Sequence, residues 1–286
     1  MAQAALALNP VSISEPLSAK NFSRLSAFVH AYSGIKMPAN KRTMLEGRLR
    51  RRMRVHGLDD VNAYCRFIFD EGGLEGETIH LIDAVTTNKT EFFREPVHFE
   101  VLEKTILPPL VAAGRREIKV WSAACSTGAE PYTLAMVLDA FCEANRGTDY
   151  SILATDICTE VLAQAIAGRY PAGMIAPVPM AMRRRYVRQS RDPSHHEVRI
   201  APALRSKIGF ARLNLMDDAY PVEQDIDVVF CRNILIYFDK PTQGKVLARL
   251  CHHLRPNGYL ILGHSESIVG LDLPVRQVAN TVFQKR

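Results

Sequence analysis

The chain has 286 residues, of which 47% are hydrophobic and 23% are charged, so it is long enough for one or two soluble globular domains. No apolar run is long enough to cross a bilayer, and the six scattered cysteines contain no C-x-x-C pair, so we expect a cytoplasmic protein without membrane insertion, disulfides or a bound metal. The net charge of +6 favours an acidic partner, which leaves nucleic acid, a membrane surface and an acidic protein open.

The N-terminal part of the sequence is predicted to be helical. Residues 1–17 mix Ala, Ser and Pro without periodicity, which is typical of a mobile arm. Between residues 18 and 86, apolar side chains recur at helical spacing in four segments that glycines separate. We therefore predict a small all-α domain over residues 18–86.

A different pattern begins after residues 87–98, which we interpret as a linker. From there to the end, over residues 99–286, short apolar strands alternate with helical segments, and the closing strand is expected near 275–284. This alternation predicts an α/β domain with a doubly wound, mainly parallel sheet and helices on both faces. About forty residues separate two of these elements, far more than a helix-to-strand connection requires, so we predict an inserted subdomain at about residues 171–207.

The most informative segment is the strand, turn and helix start at residues 118–132. Small residues and Gly128 follow the apolar strand, and a helix begins at Glu130 and Pro131. Such a turn lets a ligand approach the backbone at the carboxyl end of a parallel strand. Because it lacks the three glycines of the G-x-G-x-x-G fingerprint, the turn does not require a pyrophosphate and suits a nucleoside with a cationic amino-acid tail. Glu130 has the alternative role of a first-turn acid that stabilises the helix dipole.

Polar side chains also follow three later strands of the predicted sheet. Asp156 is placed to accept both hydroxyls of a ribose, or alternatively to cap the next helix. Asn214 offers an amide, which can both donate to and accept from an adenine edge. Asn233 ends a near-continuous apolar strand, and Tyr237 follows one helical turn later. We predict that these strand ends form one ligand site with the turn at Gly128.

The residues after the last core strand resemble a serine-hydrolase motif. The pattern G-x-S-x-small around Ser265 looks like a nucleophile elbow. That enzyme class requires a histidine after the serine, and His264 is the last histidine of the chain. We therefore exclude a hydrolase and interpret Ser265 and Glu266 as turn or cap residues.

Five segments, in this order, resemble the signature blocks of bacterial chemotaxis-receptor glutamate O-methyltransferases, and the resemblance extends over residues 18–286. The segments are TTNKTEFFRE at 86–95, VWSAACSTGAEPY at 120–132, ATDI at 154–157, FCRNILIYFD at 230–239 and GHSE at 263–266. The resemblance implies the class I methyltransferase fold, S-adenosylmethionine as methyl donor and S-adenosylhomocysteine as product. It implies as partner the cytoplasmic helical methylation region of the receptors. We further expect a monomer that binds no nucleic acid and no metal.

Carried over residue by residue, the resemblance implies a set of cofactor contacts. They are Asn88, Thr90, Arg94, Glu130, Asp156, Asn214, Leu215, Asn233 and Ile234. The segment 87–98 thereby becomes part of the site in addition to a linker.

Methyl transfer to a glutamate side chain needs no general base, because the acceptor carboxylate is already ionised at pH 7. The acceptor has to be desolvated and aligned with the methyl group. We expect Arg94 and Tyr237 to orient it as the catalytic residues. An ion pair of Arg94 with Glu91 or Glu95 is the alternative.

Arginines on the second predicted helix form the candidate partner surface. Arg48, Arg51 and Arg52 flank its apolar stripe. An acidic, helical receptor segment is the partner that the resemblance implies, a solvated helix face is the default, and nucleic acid is the rival partner. No aromatic residues interleave with these arginines, which argues against nucleic acid. Two other function classes stay open: a nucleic-acid methyltransferase and a catalytically silent cofactor-binding scaffold.

Overall fold

The computed structural model describes residues 15–190, 192, 194 and 196–286. Most of the predicted mobile arm, residues 1–17, lies outside the described residues. The chain divides into two compact units: the described part of the first contains residues 15–30 and 37–85, and the second contains residues 31–36 and 86–286. Within the described ranges, no helix combines the length and the apolar character that a membrane span requires.

The described part of the first unit is helical, as the periodicity predicted. Its helices are α1 Ala19–Ser33, whose last three residues belong to the second unit, α2 Arg42–Val55, α3 Val61–Asp70 and α4 Leu74–Val85. The apolar stripes of α2 and α3 are buried. Asp60 caps α3 by accepting hydrogen bonds from the N–H groups of Asn62 and Ala63, which satisfies two donors that a helix start leaves unpaired.

The second unit alternates helices and strands, which confirms the predicted α/β class. Its helices are α5 Val97–Val101, α6 Leu107–Ala112, α7 Ala129–Ala144, α8 Thr159–Ala167, α9 Met180–Tyr186, α10 Pro202–Arg205 and α11 Lys240–His253. Its strands are β1 Glu117–Ala123, β2 Asp149–Asp156, β3 Arg169–Pro171, β4 Val187–Gln189, β5 Glu197–Ile200, β6 Ile208–Arg212, β7 Ile226–Cys231, β8 Leu254–Leu262, β9 Val275–Ala279 and β10 Val282–Lys285.

Seven of these strands form one sheet in the order β6-β2-β1-β7-β8-β10-β9. The first five in that order are parallel to one another, whereas β10 runs antiparallel to both β8 and β9. The sheet is therefore mainly parallel, as predicted. The order reverses at β1, so the crevice at the carboxyl ends of β1 and β7 is the topological switch point, where sheets of this kind bind ligands.

Strand β7 shows that the sheet is covered on both faces. Val228 and Phe230 belong to a core that includes α7, whereas Val229 and Cys231 belong to a second core that includes α11. All residues of the strand are buried. Burial on both faces explains the near-continuous apolar run that precedes Asn233.

Between α8 and β6 the chain forms a second, smaller sheet. Its three strands are antiparallel in the order β3-β5-β4, and α9 lies in the connection between β3 and β4. This sheet begins at Arg169, slightly before the insertion predicted at about residues 171–207.

The end of the chain differs from the prediction. The single closing strand expected near residues 275–284 is wrong, because two antiparallel strands, β9 and β10, occupy that region. They are separated by a turn in which Thr281 has a φ of 53°. Asn280 is a turn-forming residue, but no glycine or proline accompanies it in the turn, so the signal for a break was weak.

Candidate active site

The turn after β1 is backbone-strained and lies at the switch point. Ala124, Ser126 and Gly128 have φ values of 66°, 52° and 89°, in a region that costs a non-glycine residue about 1–3 kcal/mol. A Cβ atom on Gly128 would lie 2.8 Å from Cβ of Ala165 and 2.9 Å from Oη of Tyr170. The fold itself therefore requires a glycine at this position.

Asp156, at the end of β2, is oriented by this turn. Its Oδ2 accepts a hydrogen bond from the N–H of Ser126 at 2.8 Å, and its Oδ1 accepts one from the N–H of Cys158 at 2.9 Å. Helix α8 begins at Thr159 with Cys158 in the N-cap position, so Asp156 does not occupy the capping position that was the alternative to a ribose contact. These two hydrogen bonds fix the orientation of the carboxylate beside the turn.

Asn88 reaches the same turn. Its carbonyl accepts a hydrogen bond from Oγ of Ser126 at 3.0 Å, and its Nδ2 lies 3.6 Å from Sγ of Cys158. Nearby, the ring of Phe92 is fully buried and packs edge-on against Tyr170, with 5.0 Å between ring centroids. Burial of Phe92 fixes the position of residues 87–98, the segment that the sequence spacing alone would assign to a linker.

Arg94 is held by its own segment. Its Nη1 donates a hydrogen bond to the carbonyl of Lys89 at 3.0 Å, which closes residues 89–94 into a loop. In the described structure Arg94 forms no ion pair with Glu91 or Glu95, the alternative that the sequence left open.

Arg232, which sequence reasoning missed, connects the segments of the site. Its side chain is 2% exposed. Nη1 donates to Oε2 of Glu130 at 2.9 Å, and Nη2 donates both to Oε2 of Glu95 at 2.9 Å and to the carbonyl of Arg94. Oε1 of Glu130 accepts a further hydrogen bond from Oγ of Ser122. Both carboxylate oxygens of Glu130 are therefore held by hydrogen bonds. Glu130 also lies in the first turn of α7, so the alternative prediction, that it stabilises the helix dipole, is compatible with its position.

Glu95 is the second residue whose place in the site the sequence analysis missed. Burial by itself would raise its pKa, but hydrogen bonds from Asn233 and Arg232 outweigh burial and lower the pKa of Glu95 below its ordinary value. The Nδ2–Oε1 distance between Asn233 and Glu95 is 3.1 Å. The signal in the sequence was a charged residue, Arg232, directly after the apolar residues 228–231, because such a charge has to find partners in the interior.

Glu266 supports the backbone around Asn233. Its carboxylate accepts hydrogen bonds from the N–H groups of Asn233, Leu235 and Gly263 at 2.9, 2.7 and 2.7 Å. Asn233 itself has a φ of 60°. Burial, opposed by these backbone hydrogen bonds, raises the pKa of Glu266. The residue predicted to be a turn or cap is therefore a buried carboxylate that holds two loops together.

Asn214 and Leu215 follow β6. Nδ2 of Asn214 donates to the carbonyl of Tyr32 at 2.7 Å, and Oδ1 accepts from the N–H of Met216 at 3.1 Å. The amide that was expected to meet an adenine edge is therefore engaged by backbone groups on both of its atoms, with one N–H and one lone pair remaining. Leu215 is buried in the core next to α11, and Ile234 packs partly buried against the same core.

Tyr237 lies in a short 3₁₀ turn, Leu235–Tyr237, directly after Asn233. Its side chain is half-buried, and its carbonyl accepts a hydrogen bond from the N–H of Lys36 at 3.3 Å. Thr90 is also half-buried. Hydrogen bonds thus bring Asn88, Asp156, Glu130, Arg94 and Asn233 into connected groups, whereas no contact joins Tyr237 directly to Arg94 among the described residues.

The arginines of α2 are partly used inside the first unit. Arg52 binds Glu77 through two hydrogen bonds, Nη2 to Oε1 at 2.5 Å and Nε to Oε2 at 3.0 Å. Nη1 of Arg48 donates to the carbonyl of Val85. Of the three arginines predicted to bind a partner, Arg51 is the exposed one. The docking role stays a prediction, and two of the three arginines, Arg48 and Arg52, already form hydrogen bonds inside the first unit.

Comparison with known protein families covers almost the whole chain. Residues 88–283 match the family model described as "CheR methyltransferase, SAM binding domain". Residues 20–86 match the model described as "CheR methyltransferase, all-alpha domain". The division between the two models coincides with the division between the two units near residue 86.

Curated relatives agree with the family models. A chemotaxis protein methyltransferase of Borreliella burgdorferi is 36% identical over 92% of this chain and 93% of its own length. The protein of the same name from Escherichia coli is 37% identical over 93% and 91%, and chemotaxis protein methyltransferase 2 of Pseudomonas aeruginosa is 35% identical over 92% of each chain. With both family models matched and this similarity maintained over nearly full length, the chain belongs to the CheR family of S-adenosylmethionine-binding methyltransferases.

Proposed function

We propose that this chain transfers the methyl group of S-adenosylmethionine to glutamate side chains in the cytoplasmic helical methylation region of chemotaxis receptors, giving glutamate methyl esters. The names of its relatives support methylation in chemotaxis. The structural observation that carries the proposal is the oriented carboxylate of Asp156 beside the strained turn after β1.

The charges at the switch point fit a cationic nucleoside. The carboxylates of Asp156, Glu130 and Glu95 lie there together with the guanidinium group of Arg232. Such a site attracts the sulfonium and the ammonium of S-adenosylmethionine, which when bound supplies an electrophilic methyl group. Asp156 accepts the ribose hydroxyls at the carboxylate that the N–H groups of Ser126 and Cys158 orient. Glu130, fixed at both oxygens, shapes the donor side of the pocket.

The acceptor side of the site needs orientation and not proton transfer. The acceptor carboxylate is ionised near pH 7 and attacks in line, so no residue has to remove a proton. Because the attack neutralises charge, strong stabilisation of that carboxylate would favour the ground state over the transition state. The guanidinium of Arg94 and the phenol of Tyr237 orient the acceptor carboxylate. Only these two groups donate hydrogen bonds to it, so the ground state is not strongly stabilised.

The partner is a protein and not a nucleic acid in this proposal. Nucleic-acid affinity depends on many cations that are available to phosphates. In α2, the charge of Arg52 is offset by its ion pair with Glu77, and the guanidinium of Arg48 is held by a backbone carbonyl, so both side chains already have partners inside the first unit. We propose a monomer that works in the cytoplasm.

Transfer of labelled methyl groups tests this function. The full chain is incubated with methyl-labelled S-adenosylmethionine and receptor-rich membranes, and the labelled protein is then treated with alkali. We expect label on a receptor band that alkali releases, because methyl esters hydrolyse whereas methylated amines and bases do not. Alkali-stable label, label on added DNA or RNA, or cofactor binding without any transfer would overturn the proposal in favour of another methyltransferase class or a silent scaffold.

A further inference from the structure

Residues 31–36, which contain the last turn of α1, belong by their contacts to the unit that carries the candidate active site. The family model of the all-α domain includes them, since it matches residues 20–86, and the model of the cofactor-binding domain begins only at residue 88. Contacts in the structure nevertheless place these six residues in the second unit, together with residues 86–286. The sequence analysis did not include this 31–36 segment in the site.

Tyr32 connects the 31–36 segment to the ends of β6 and β2. Its carbonyl accepts a hydrogen bond from Nδ2 of Asn214 at 2.7 Å, and its hydroxyl accepts one from Nη2 of Arg212 at 3.0 Å. Nε of Arg212 in turn donates to the carbonyl of Ile157 at 3.2 Å, and Ile157 directly follows Asp156. Tyr32 is therefore linked to two predicted cofactor contacts, Asn214 directly and Asp156 through its neighbour.

The other end of the segment contacts the turn that carries Tyr237. The N–H of Lys36 donates to the carbonyl of Tyr237 at 3.3 Å. Nζ of Lys36 lies 3.9 Å from Oδ2 of Asp239, but Lys36 is exposed, and exposed ion pairs contribute little. The backbone hydrogen bond therefore fixes this end of the segment.

Gly34 fills the space between these two contacts. Gly34 is buried and has a φ of 73°. A Cβ atom there would lie 2.7 Å from Sδ of Met216 and 2.9 Å from Cε1 of Phe238. Met216 lies two residues after Asn214, and Phe238 directly follows Tyr237. The glycine backbone thus packs against the loop after β6 and the turn after β7 at once, with no room for another methyl group.

The main sheet does not join these two loops to each other. Strands β2 and β1 lie between β6 and β7 in the strand order, so β6 and β7 are not hydrogen-bonded neighbours. The 31–36 segment contacts both loops, through Tyr32 on the β6 side and Lys36 on the β7 side. It therefore bridges two loops that have two strands between them.

We propose that the 31–36 segment is a positioning element of the methyltransferase site, which holds the loop after β6 against the cofactor and keeps the turn of Tyr237 at a fixed distance from that loop. Tyr32 acts on the donor side, through Asn214 and Arg212. Gly34 acts on both sides, because its backbone packs against both loops. The proposal rests on the proposed function for the roles of Asn214 and Tyr237, but cofactor affinity tests it without a receptor.

Cofactor affinity and turnover of the full chain measure this positioning role. Gly34→Ala forces a methyl group against Met216 and Phe238, so both loops have to move. We expect the dissociation constant of labelled S-adenosylhomocysteine, measured by equilibrium dialysis, to rise about tenfold or more, because small displacements of positioned groups have large effects. Receptor methylation at saturating cofactor should fall by a similar factor.

Gly114→Ala is the matched control. Gly114 has a φ of 86°, so an alanine there suffers a comparable backbone strain, but its Cβ atom would meet nothing within 4 Å. It lies between α6 and β1, at the amino end of the strand and away from the switch point. We expect Gly114→Ala to lose stability but to bind S-adenosylhomocysteine within about twofold of the parent chain.

Tyr32→Phe is the milder variant, since it keeps the ring and the backbone and removes only the hydroxyl that accepts from Arg212. We expect the dissociation constant of S-adenosylhomocysteine to rise about three- to tenfold, the effect of one hydrogen bond to a charged group. Turnover at saturating cofactor should stay within about twofold of the parent chain, because the hydroxyl acts on the donor side. A merely structural hydroxyl would lower the thermal unfolding midpoint and leave the dissociation constant unchanged.

Unchanged cofactor affinity in folded Gly34→Ala, or equal losses of affinity in Gly34→Ala and Gly114→Ala, would overturn the positioning role. Circular dichroism checks that each variant is folded. If Gly34→Ala does not fold, Tyr32→Phe decides, and an unchanged dissociation constant in Tyr32→Phe overturns the proposal. If the parent chain binds the cofactor but methylates no receptor, the proposed function fails, while the dissociation constants still test the 31–36 segment.

Discussion

Arg232 is the residue on which the geometry of the site depends most. Its buried guanidinium holds Glu130 on one side and Glu95 on the other, and it also binds the backbone of Arg94. Its cation lies 5.5 Å from the ring centroid of Phe99. A buried charge with two acidic partners is stable only as a complete set, because removal of one member leaves the others desolvated and unpaired.

Replacement of Arg232 should therefore destabilise the second unit. We expect Arg232→Gln to lower the free energy of unfolding by about 3–5 kcal/mol, measured by urea denaturation at pH 7 through the fluorescence of Trp121, the single tryptophan of the chain. Arg276→Gln, at an exposed position of β9, is the control and should change stability by less than about 0.5 kcal/mol. Equal, small losses of unfolding free energy in the two variants would show that the hydrogen bonds of Arg232 do not stabilise the second unit.

Arg94 should behave in the opposite way. Its side chain donates to the carbonyl of Lys89 and has no ion pair to lose in the described structure. We expect Arg94→Ala to lower turnover about a hundredfold, the scale of a misaligned reacting group, with little change in the unfolding midpoint. Methylation rates at saturating cofactor and thermal unfolding together check this. Near-normal rates would contradict the orienting role.

Among the elements, α2 and α4 are joined by a buried acid. Glu77 accepts hydrogen bonds from Arg52, His56 and Tyr64. Burial by itself would raise the pKa of Glu77, but these hydrogen bonds outweigh it and lower the pKa to about 2. A carboxyl group with a lowered folded-state pKa stabilises the fold above its unfolded value near 4.5, and this contribution disappears as the pH falls toward 2.

Glu77→Gln should show that pH dependence. At pH 7 the variant should be less stable than the parent chain by about 3 kcal/mol, which corresponds to a pKa of about 2 in the folded state against 4.5 in the unfolded chain. This difference in stability should disappear as the pH falls from 4.5 to 2. Urea denaturation followed by far-ultraviolet circular dichroism measures both. Glu75→Gln, exposed on the same helix, is the control. If the difference in unfolding free energy between Glu77→Gln and the parent chain stayed constant down to pH 2, ionisation of Glu77 could not be its cause.

Elements were easier to predict from sequence than contacts. The change from helical periodicity to alternating strands and helices predicted the fold class, because burial on one or two faces imposes those patterns directly. The division between β9 and β10 was missed, because a left-handed threonine at residue 281 has no local signal.

The site was predicted in part for the same reason. Strand ends reveal Asp156, Glu130 and Asn233, since polar residues after buried strands are conspicuous. The network of Arg232 joins Glu95 across 137 residues of chain, and spacing cannot pair residues at that separation. Likewise the positions of Arg48 and Arg52 on α2 could be predicted, but their partners on α4 could not.

At the scale of the whole molecule, the proposed mechanism has a donor side and an acceptor side. The proposed donor side lies around Asp156, at the end of β2, and Glu130, in the first turn of α7. The proposed acceptor side consists of Arg94 and Tyr237, which lie in the connections outside the strands and long helices. Loops can vary without disturbing the sheet, so this division explains how a common methyltransferase fold can direct the methyl group to a particular carboxylate.

Cofactor affinity and turnover, measured together in Asp156→Ala and Tyr237→Phe, test this division most directly. We expect Asp156→Ala to weaken S-adenosylmethionine binding about ten- to a hundredfold, the value of hydrogen bonds to a charged group. Tyr237→Phe should bind the cofactor within about twofold of the parent chain, yet lower turnover at saturating cofactor about ten- to a hundredfold. Equal losses of cofactor affinity in both variants, or unchanged turnover in Tyr237→Phe, would contradict the account.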